Sequence, residues 1–433
     1  MTNESTSASG GKTATPAPAS ASARVANATD PGAPRKVHLA VRIFGVLMFV
    51  RGALEVLAFV TLAGLSALAF TIGADELTIG NQTTLSLALM AGLFMLALVA
   101  GVLSVMLGVA LFKSRRRRVA VLARVLVGIT IAQIVGNIML AGVGTYLIQT
   151  FVELAILIAL SVAIDPTLRR EREMRRQVDR MMNVDSKREG MEGRDLTGKG
   201  YLDLNFFNLF WEFVACCVLG LILEIIWHMV VVDPGVYQDR AGLLFGPFSP
   251  IYGFGAVLVT LALNRLYNKS LVIIFLVSAV VGGAFEAFTA LFMQLGFGAV
   301  AWDYSSYTIL GAPDPIAVAS GGRTSTMFVV MWGVLGLVWV KAFLPMLLRV
   351  VNLIPWRVRY GLTTLCALLM LANGLFTLTA LDCWFERMSG IEPVSAAGIY
   401  FAEHYDNEWM EHRFESMTIT PEESTRLASS TLS

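Results

Sequence analysis

Apolar and polar positions fall in blocks along this chain, with nine apolar runs separated by shorter polar or charged stretches. The runs cover about Val41 to Thr71, Thr84 to Phe112, Val119 to Ala141, Tyr146 to Ile164, Phe206 to Val232, Gly242 to Leu263, Leu271 to Phe297, Ser325 to Val350 and Tyr360 to Leu381. A bilayer core of about 30 Å takes about 20 apolar residues per helix, and each run meets or approaches that length. The pattern predicts an all-α polytopic membrane protein with about nine transmembrane helices. Segment six stands apart, because Gly246, Pro247, Pro250, Gly253 and Gly255 interrupt it. Proline removes a backbone donor and glycine adds backbone freedom, so a broken helix is expected there. Broken segments persist at membrane depth only where protein or a water-filled cavity satisfies the freed backbone groups. The stretch from Tyr237 to Leu263 is therefore the leading candidate for a functional site.

The polar stretches carry orientation. Arg35 and Lys36 precede segment one, Lys113 to Arg118 follow segment two, Arg169 to Arg188 follow segment four, and Arg265 and Lys269 follow segment six. Lys341, Arg349, Arg357 and Arg359 surround the loop between segments eight and nine. Short loops rich in Lys and Arg stay cytoplasmic. All of these loops share one side if the N-terminus is cytoplasmic, which leaves Gly73 to Thr83, Asp233 to Arg240 and Gly298 to Thr324 outside. Nine crossings then place the C-terminal tail outside. The alternative is eight crossings with segment six re-entrant, which would send the loop from Asn264 to Lys269 to the wrong side. The expected organisation is a disordered cytoplasmic tail (1–37), a four-helix membrane module (38–164), a charged cytoplasmic linker (165–205), a five-helix membrane domain (206–381) and an acidic C-terminal tail (382–433).

Composition agrees with this class. The 433 residues are 56% hydrophobic, against roughly 45–50% in soluble domains, and mean hydropathy is +0.66. The net charge is +1, and the 33 Lys and Arg residues flank apolar runs rather than cover one polar domain, which argues against a nucleic-acid partner. Cys216, Cys217, Cys366 and Cys383 lie in or beside apolar runs and read as small buried hydrophobes, not a disulfide framework. The first stretch is rich in Ser, Thr, Ala, Gly and Pro without an apolar core, so it reads as neither a signal peptide nor a globular element. The linker mixes Arg169, Arg170, Arg172, Arg175, Arg176 and Arg180 with Glu171, Glu173 and Asp179. It reads as a solvated helix near anionic headgroups, with a partner-docking helix as the alternative.

Ionisable residues inside a bilayer are costly, so each needs a partner or a role. Arg51 and Glu55 stand at i, i+4 and can neutralise each other, and Glu153 can pair with Arg42 or Arg51. Segment five holds Glu212, Glu224 and His228, of which Glu224 and His228 share a face at i, i+4. Such a pair can relay protons, hold a cation or satisfy itself. Glu286 follows Gly282 and Gly283, small residues that admit a neighbouring helix, so it is expected to face protein. Arg240, Asp303 and Arg323 fall near the outer ends of helices, beside Trp302. Together these predict a polar pocket among segments five to eight, floored by Gly246, Pro247, Pro250, Tyr252 and Gly253. Glu224, His228 and Glu286 would line it, and Arg240, Asp303 and Arg323 would close its outer mouth.

In chain order, Leu223-Glu224, Arg240-Ala-Gly242, Gly246-Pro-Phe-Ser-Pro-Ile-Tyr-Gly253, Glu286, Trp302-Asp-Tyr-Ser305, Gly322-Arg323 and Trp332-Gly333 resemble the bacterial membrane family of type IV ABC-transporter permeases. The resemblance covers about Phe206 to Met417 and includes Glu386-Arg387. The tail from Asp406 to Met417 is similar to that family's acidic C-terminal segment, although Phe414-Glu-Ser-Met417 departs from its Phe-Pro-Asn-Met-like ending. Segments one to four lie outside it and read as an added module. The resemblance implies a permease subunit that moves a substrate with a separate ATPase chain. Gly10-Gly11-Lys12-Thr13 has the end of a Walker A motif, but Thr6 stands where its first glycine belongs. Coupling would then fall to the linker from Asp165 to Thr197 and the loop between segments eight and nine.

Other chemistries are weaker. Glu403, His404, Asp406, Glu408, Glu411 and His412 suggest a metal site, yet His404 and His412 lack the i, i+4 spacing of a zincin. No Gly-x-Ser-x-Gly elbow occurs. No cofactor, metal or catalytic residue is expected. A non-transporting scaffold or regulatory subunit is the alternative function, and an intramembrane hydrolase or lipid-modifying enzyme on Ser249, His228 and Glu224 is a minor one.

Overall fold

A computed structural model describes residues 39–71, 84–113, 116–163, 200–202, 204–351, 353–354 and 356–426. The expected N-terminal tail and the charged linker through residue 199 lie outside the described residues. The chain is helical, as its pattern of apolar runs predicts: α1 Leu39–Thr71, α2 Thr84–Phe112, α3 Arg116–Ala141, α4 Tyr146–Ala163, α5 Phe206–Trp227, α6 Pro250–Leu263 and α7 Leu271–Phe297. There follow a short α8 Pro315–Ser320, α9 Thr326–Val338, α10 Leu344–Val351, α11 Trp356–Met388, α12 Ala396–His404 and α13 Asn407–Arg413. π turns prolong α5 over His228–Val232 and join α9 to α10 over Trp339–Phe343. The only strands among the described residues are two-residue pairs: β1 Ala299–Val300 with β4 Thr418–Ile419, and β2 Thr308–Ile309 with β3 Ala312–Pro313.

Seven helical stretches are long and apolar enough to cross a membrane, and Tyr146–Ile158 and Pro250–Leu263 are shorter apolar helices. These account for the nine sequence segments. Large apolar side chains such as Leu57, Val60, Val280 and Leu369 stand uncovered on the helices, as lipid-facing positions do. Segment six is the exception to full-length helix. Its α6 has 14 residues, about 21 Å of rise, and residues 241–249 are irregular. α6 begins at Pro250, where the missing amide costs nothing and the fixed φ suits a first helical position.

The connections sort to two ends of the bundle. At one end Asn264, just past α6, accepts at Oδ1 from the Tyr201 and Leu202 amides (3.1 and 2.7 Å), so α6 finishes where α5 begins. At the other end β1 pairs with β4 of the C-terminal tail, and the Thr425 hydroxyl donates to Met139 O at the end of α3 (3.0 Å). These are called here the linker end and the tail end. Segment six thus runs from the tail end to the linker end of the bundle. At the tail end Ile134, Ile138, Leu147, Phe297, Trp384, Phe401, Met410 and Phe414 form one buried cluster, which binds α3 and α4 to α7, α11 and the tail.

Candidate functional site

The break in segment six is accounted for group by group. Gly242 N donates to Phe248 O (2.9 Å), and Ser249 N donates to Cys217 O in the middle of α5 (3.0 Å). Leu244 N donates to the Thr377 hydroxyl (2.8 Å), while Asn373 accepts from Phe245 N (3.2 Å) and donates to Phe245 O (2.8 Å). Thr377 and Asn373 stand one turn apart on α11. Two further carbonyls are met by Arg413 of α13, whose Nε and Nη2 donate to Leu243 O (3.1 and 2.6 Å) and whose Nη2 also donates to Gly246 O (2.7 Å). The Arg413 Nη1 reaches Asp239 Oδ2 at 2.7 Å. Gly246 has φ +77°, the left-handed region where a side chain is disfavoured, and this turns its carbonyl to the guanidinium. An unmet buried backbone group costs about 1–3 kcal/mol, so these partners decide whether the break persists.

Below the break α6 packs tightly on α5. Gly220 faces the Tyr252 ring and Gly253 faces Cys217 and Phe213, with no room for a Cβ at either glycine. A chain of polar groups starts here. Arg240 Nη1 donates to Glu224 Oε1 at 3.2 Å, and the Tyr252 hydroxyl is a further partner of Glu224. Tyr252 stacks on Trp332 with ring centroids 6.2 Å apart. Trp332 Nε1 donates to Glu286 Oε2 (3.2 Å), which also accepts from the Thr324 hydroxyl (2.8 Å). Glu286 Oε1 accepts from the Tyr304 hydroxyl at 3.3 Å. Burial, followed by the neighbouring Glu286, pushes the Tyr304 phenol far up, so it stays a donor. Glu286 is buried and is held by three neutral donors rather than a cation.

The sequence-predicted residues thus divide. Glu224, Arg240, Tyr252, Gly253 and Glu286 come together, and Gly246 and Pro250 shape the break beside them. Pro247 is exposed at its tip. His228 does not join Glu224, because its Nδ1 lies 3.3 Å from Val236 O while Glu224 turns to Arg240. The expected acid–base ring at the outer mouth is corrected. Arg323 donates to Gln294 Oε1 (3.0 and 2.8 Å) and Ser320 O (2.9 Å) and makes no carboxylate pair among the described residues. Asp303 spends both oxygens on Ser305 (2.8 and 2.9 Å). Trp302 Nε1 donates to Arg323 O at 3.0 Å. These three line a separate groove of about 210 Å3 at the tail end, with Gln294 and Glu423. The Ser249 amide donates to Cys217 O, and no hydrogen bond between the Ser249 hydroxyl and the His228 ring occurs among the described residues, where His228 Nδ1 lies against Val236 O. Arg51 pairs with both Glu55 (2.7 Å) and Glu153, as expected.

Asn373, Thr377 and Arg413 went unnoticed in the sequence. Asn373 and Thr377 at i, i+4 in an apolar run were a legible polar stripe, whereas Arg413 lies in a charged helix with no local mark. Glu212, to which the sequence assigns no partner, is 1% exposed and accepts from the Thr260 hydroxyl.

Residues 211–378 match the family described as "Putative ABC-transporter type IV". The match lies within the stretch expected from the motifs and bears out that resemblance. No curated protein and no solved structure matches the chain. The chain is a multi-pass membrane protein with a transporter-related stretch over 211–378.

Proposed function

We propose that this chain is the membrane-spanning permease subunit of a transporter, moving a substrate with the help of a separate ATPase. One coincidence carries the reading. The stretch that matches the transporter family holds both the broken segment and the chain from Arg240 through Glu224, Tyr252 and Trp332 to Glu286. Ionisable groups inside a bilayer are expensive and by default mark substrate or ion paths. In this reading residues 206–381 form the transport unit and 38–164 an added four-helix module. The tail end faces outward, and the ATPase grips the cytoplasmic linker and the loop between segments eight and nine.

A second reading, a non-transporting scaffold or regulatory subunit, is favoured by the pairing itself. Glu224 has its arginine and Glu286 its three donors, so neither needs a substrate. The test is purification from native membranes in mild detergent, mass-spectrometric search for a Walker A chain at fixed stoichiometry, and ATP hydrolysis by the reconstituted complex. Transport predicts that Glu224→Gln and Glu286→Gln cut ATP turnover by about tenfold or more, a loss of about 1.4 kcal/mol, while the complex stays assembled. If no ATPase chain co-purifies, or the variants lower only thermal stability, the scaffold reading stands instead.

A further inference from the structure

Glu212 lies on α5 about three turns before Glu224, toward the linker end, and is 1% exposed. Its Oε1 accepts from the Thr260 hydroxyl of α6, and the Thr260 oxygen accepts from Trp339 Nε1 at 2.8 Å. The Trp339 indole N–H, shared with Thr260, is a second neutral donor beside the carboxylate, but Oε2 itself has no hydrogen-bond partner, and no ion pair reaches it, among the described residues. Around Trp339 the setting is apolar, with Cys216, Val259, Leu263 and Leu344 in one buried cluster. This sets Glu212 apart from the other two carboxylates of the bundle. Glu224 has a guanidinium and Glu286 has donors on both oxygens. A carboxylate in such surroundings is strongly disfavoured unless a positive charge accompanies it.

Two features show where that charge could enter. A cavity of about 10 Å3 touches Thr260 and is lined also by Asn264, Tyr267 and Val340 near the linker end. That is close to the space of one water. The helix that carries Trp339 loosens into a π turn over Trp339–Phe343, a distortion that recurs at functional sites. Few other charges face the site. Cys216 lies one turn on along α5, and Lys341 of the π turn is engaged with Tyr267 O at 2.9 Å.

We infer that Glu212 Oε2 is the seat of an exchangeable monovalent positive charge, a proton or an alkali-metal ion, that enters from the linker end past Thr260. The assignment is independent of whether the chain moves a substrate, so either can fail alone. The experiment uses the full chain in lipid nanodiscs, comparing wild type with Glu212→Gln by melting temperature and infrared spectroscopy. If the charge is a proton bound in the folded state, stability is present at low pH and lost as pH rises. The wild type then loses melting temperature relative to Glu212→Gln as pH rises above the ordinary carboxylate range, whether NaCl or choline chloride is present. Its spectrum carries a carboxylic-acid band that moves in D2O and is missing in Glu212→Gln. If the charge is an alkali ion, added Na+ or K+ at fixed pH raises the melting temperature of wild type only. Should Glu212→Gln not fold, Thr260→Val serves instead and should shift the ion or proton dependence by about tenfold, or 1.4 kcal/mol. Identical responses of wild type and Glu212→Gln to pH and both ions, or an unmoved dependence in Thr260→Val, would overturn the assignment.

Discussion

Arg413→Gln should open the broken segment selectively. In the intact protein one guanidinium bonds Asp239 Oδ2, Leu243 O and Gly246 O at 2.6–3.1 Å. Hydrogen bonds to a charged group are worth about 1.5–3 kcal/mol each before coupling is considered. The arginine and Asp239 side chains are 17% and 24% exposed, so water recovers part of that loss and the energies do not simply add. The expected cost is about 2–4 kcal/mol for local opening of residues 239–248. At 1.4 kcal/mol per factor of ten, the open population rises about 30- to 700-fold. Limited trypsin digestion in nanodiscs reads this directly, because Arg240 lies inside the released stretch. When opening is fast relative to cleavage, the cutting rate follows that population. Arg413→Lys should fall between, since one ammonium cannot span the carboxylate and both carbonyls as a planar fork does. If cleavage at Arg240 in Arg413→Gln stays within about twofold of wild type, a change of only about 0.4 kcal/mol, Arg413 is not what holds the break.

Three further outcomes follow from particular contacts. A methyl group at Gly220 would fall on the Tyr252 ring, while the space beside Gly374 is open; Gly220→Ala should therefore cost about 1–3 kcal/mol in thermal denaturation, and Gly374→Ala should stay within about 0.5 kcal/mol of wild type. Burial opposes the charge on Asp314, but the Ala317 amide, the Thr326 hydroxyl and amide and the Ile316 amide outweigh it and hold the carboxyl below its usual range. A lowered folded value means this support is present above the usual carboxylate range and fades as pH falls through the depressed one. Hydrogen exchange over residues 315–326 should rise on acidification, and Asp314→Asn should show the raised exchange already at neutral pH. Ser305, Glu422 and Lys269 are exposed, so an impermeant maleimide should label Ser305→Cys and Glu422→Cys from one side of sealed vesicles and Lys269→Cys from the other. Labelling of all three from the same side would refute the nine-crossing order.

What could be read from the sequence follows the range of the interaction that decides each feature. The apolar runs were legible because hydrocarbon sets helix length by itself, and each contains a helix, with limits close to those of the first five and of the seventh and eighth, whereas the helix of segment six is shorter than its run and that of segment nine longer. The Arg51–Glu55 pair was legible because one turn of helix brings i and i+4 together. The start of α6 was marked by Pro250. Arg323 misled, since an arginine at a helix end beside acids invites a salt bridge. The local turn at Asp303 took both carboxylate oxygens first, as short acidic side chains often do with nearby backbone, and the neutral Gln294 was left to hold the guanidinium.

The partners of the broken segment needed the fold, because they arrive from α11 and α13 across more than a hundred residues. This bears on how the transporter-related stretch is understood. The match ends at residue 378 and so includes the Asn373 and Thr377 that pair the amides of the break. Arg413, which pairs the Leu243 and Gly246 carbonyls, lies beyond it. The same tail reaches α3 through Thr425 and Met139 O, and Arg426 contacts both Asp382 and Gly296 O. A change in segment six therefore reaches the tail directly through Arg413, as it reaches α5 through Ser249 and Gly253, and a fragment cut at the end of the match would keep the glycines and prolines yet lose the guanidinium that meets Leu243 O and Gly246 O.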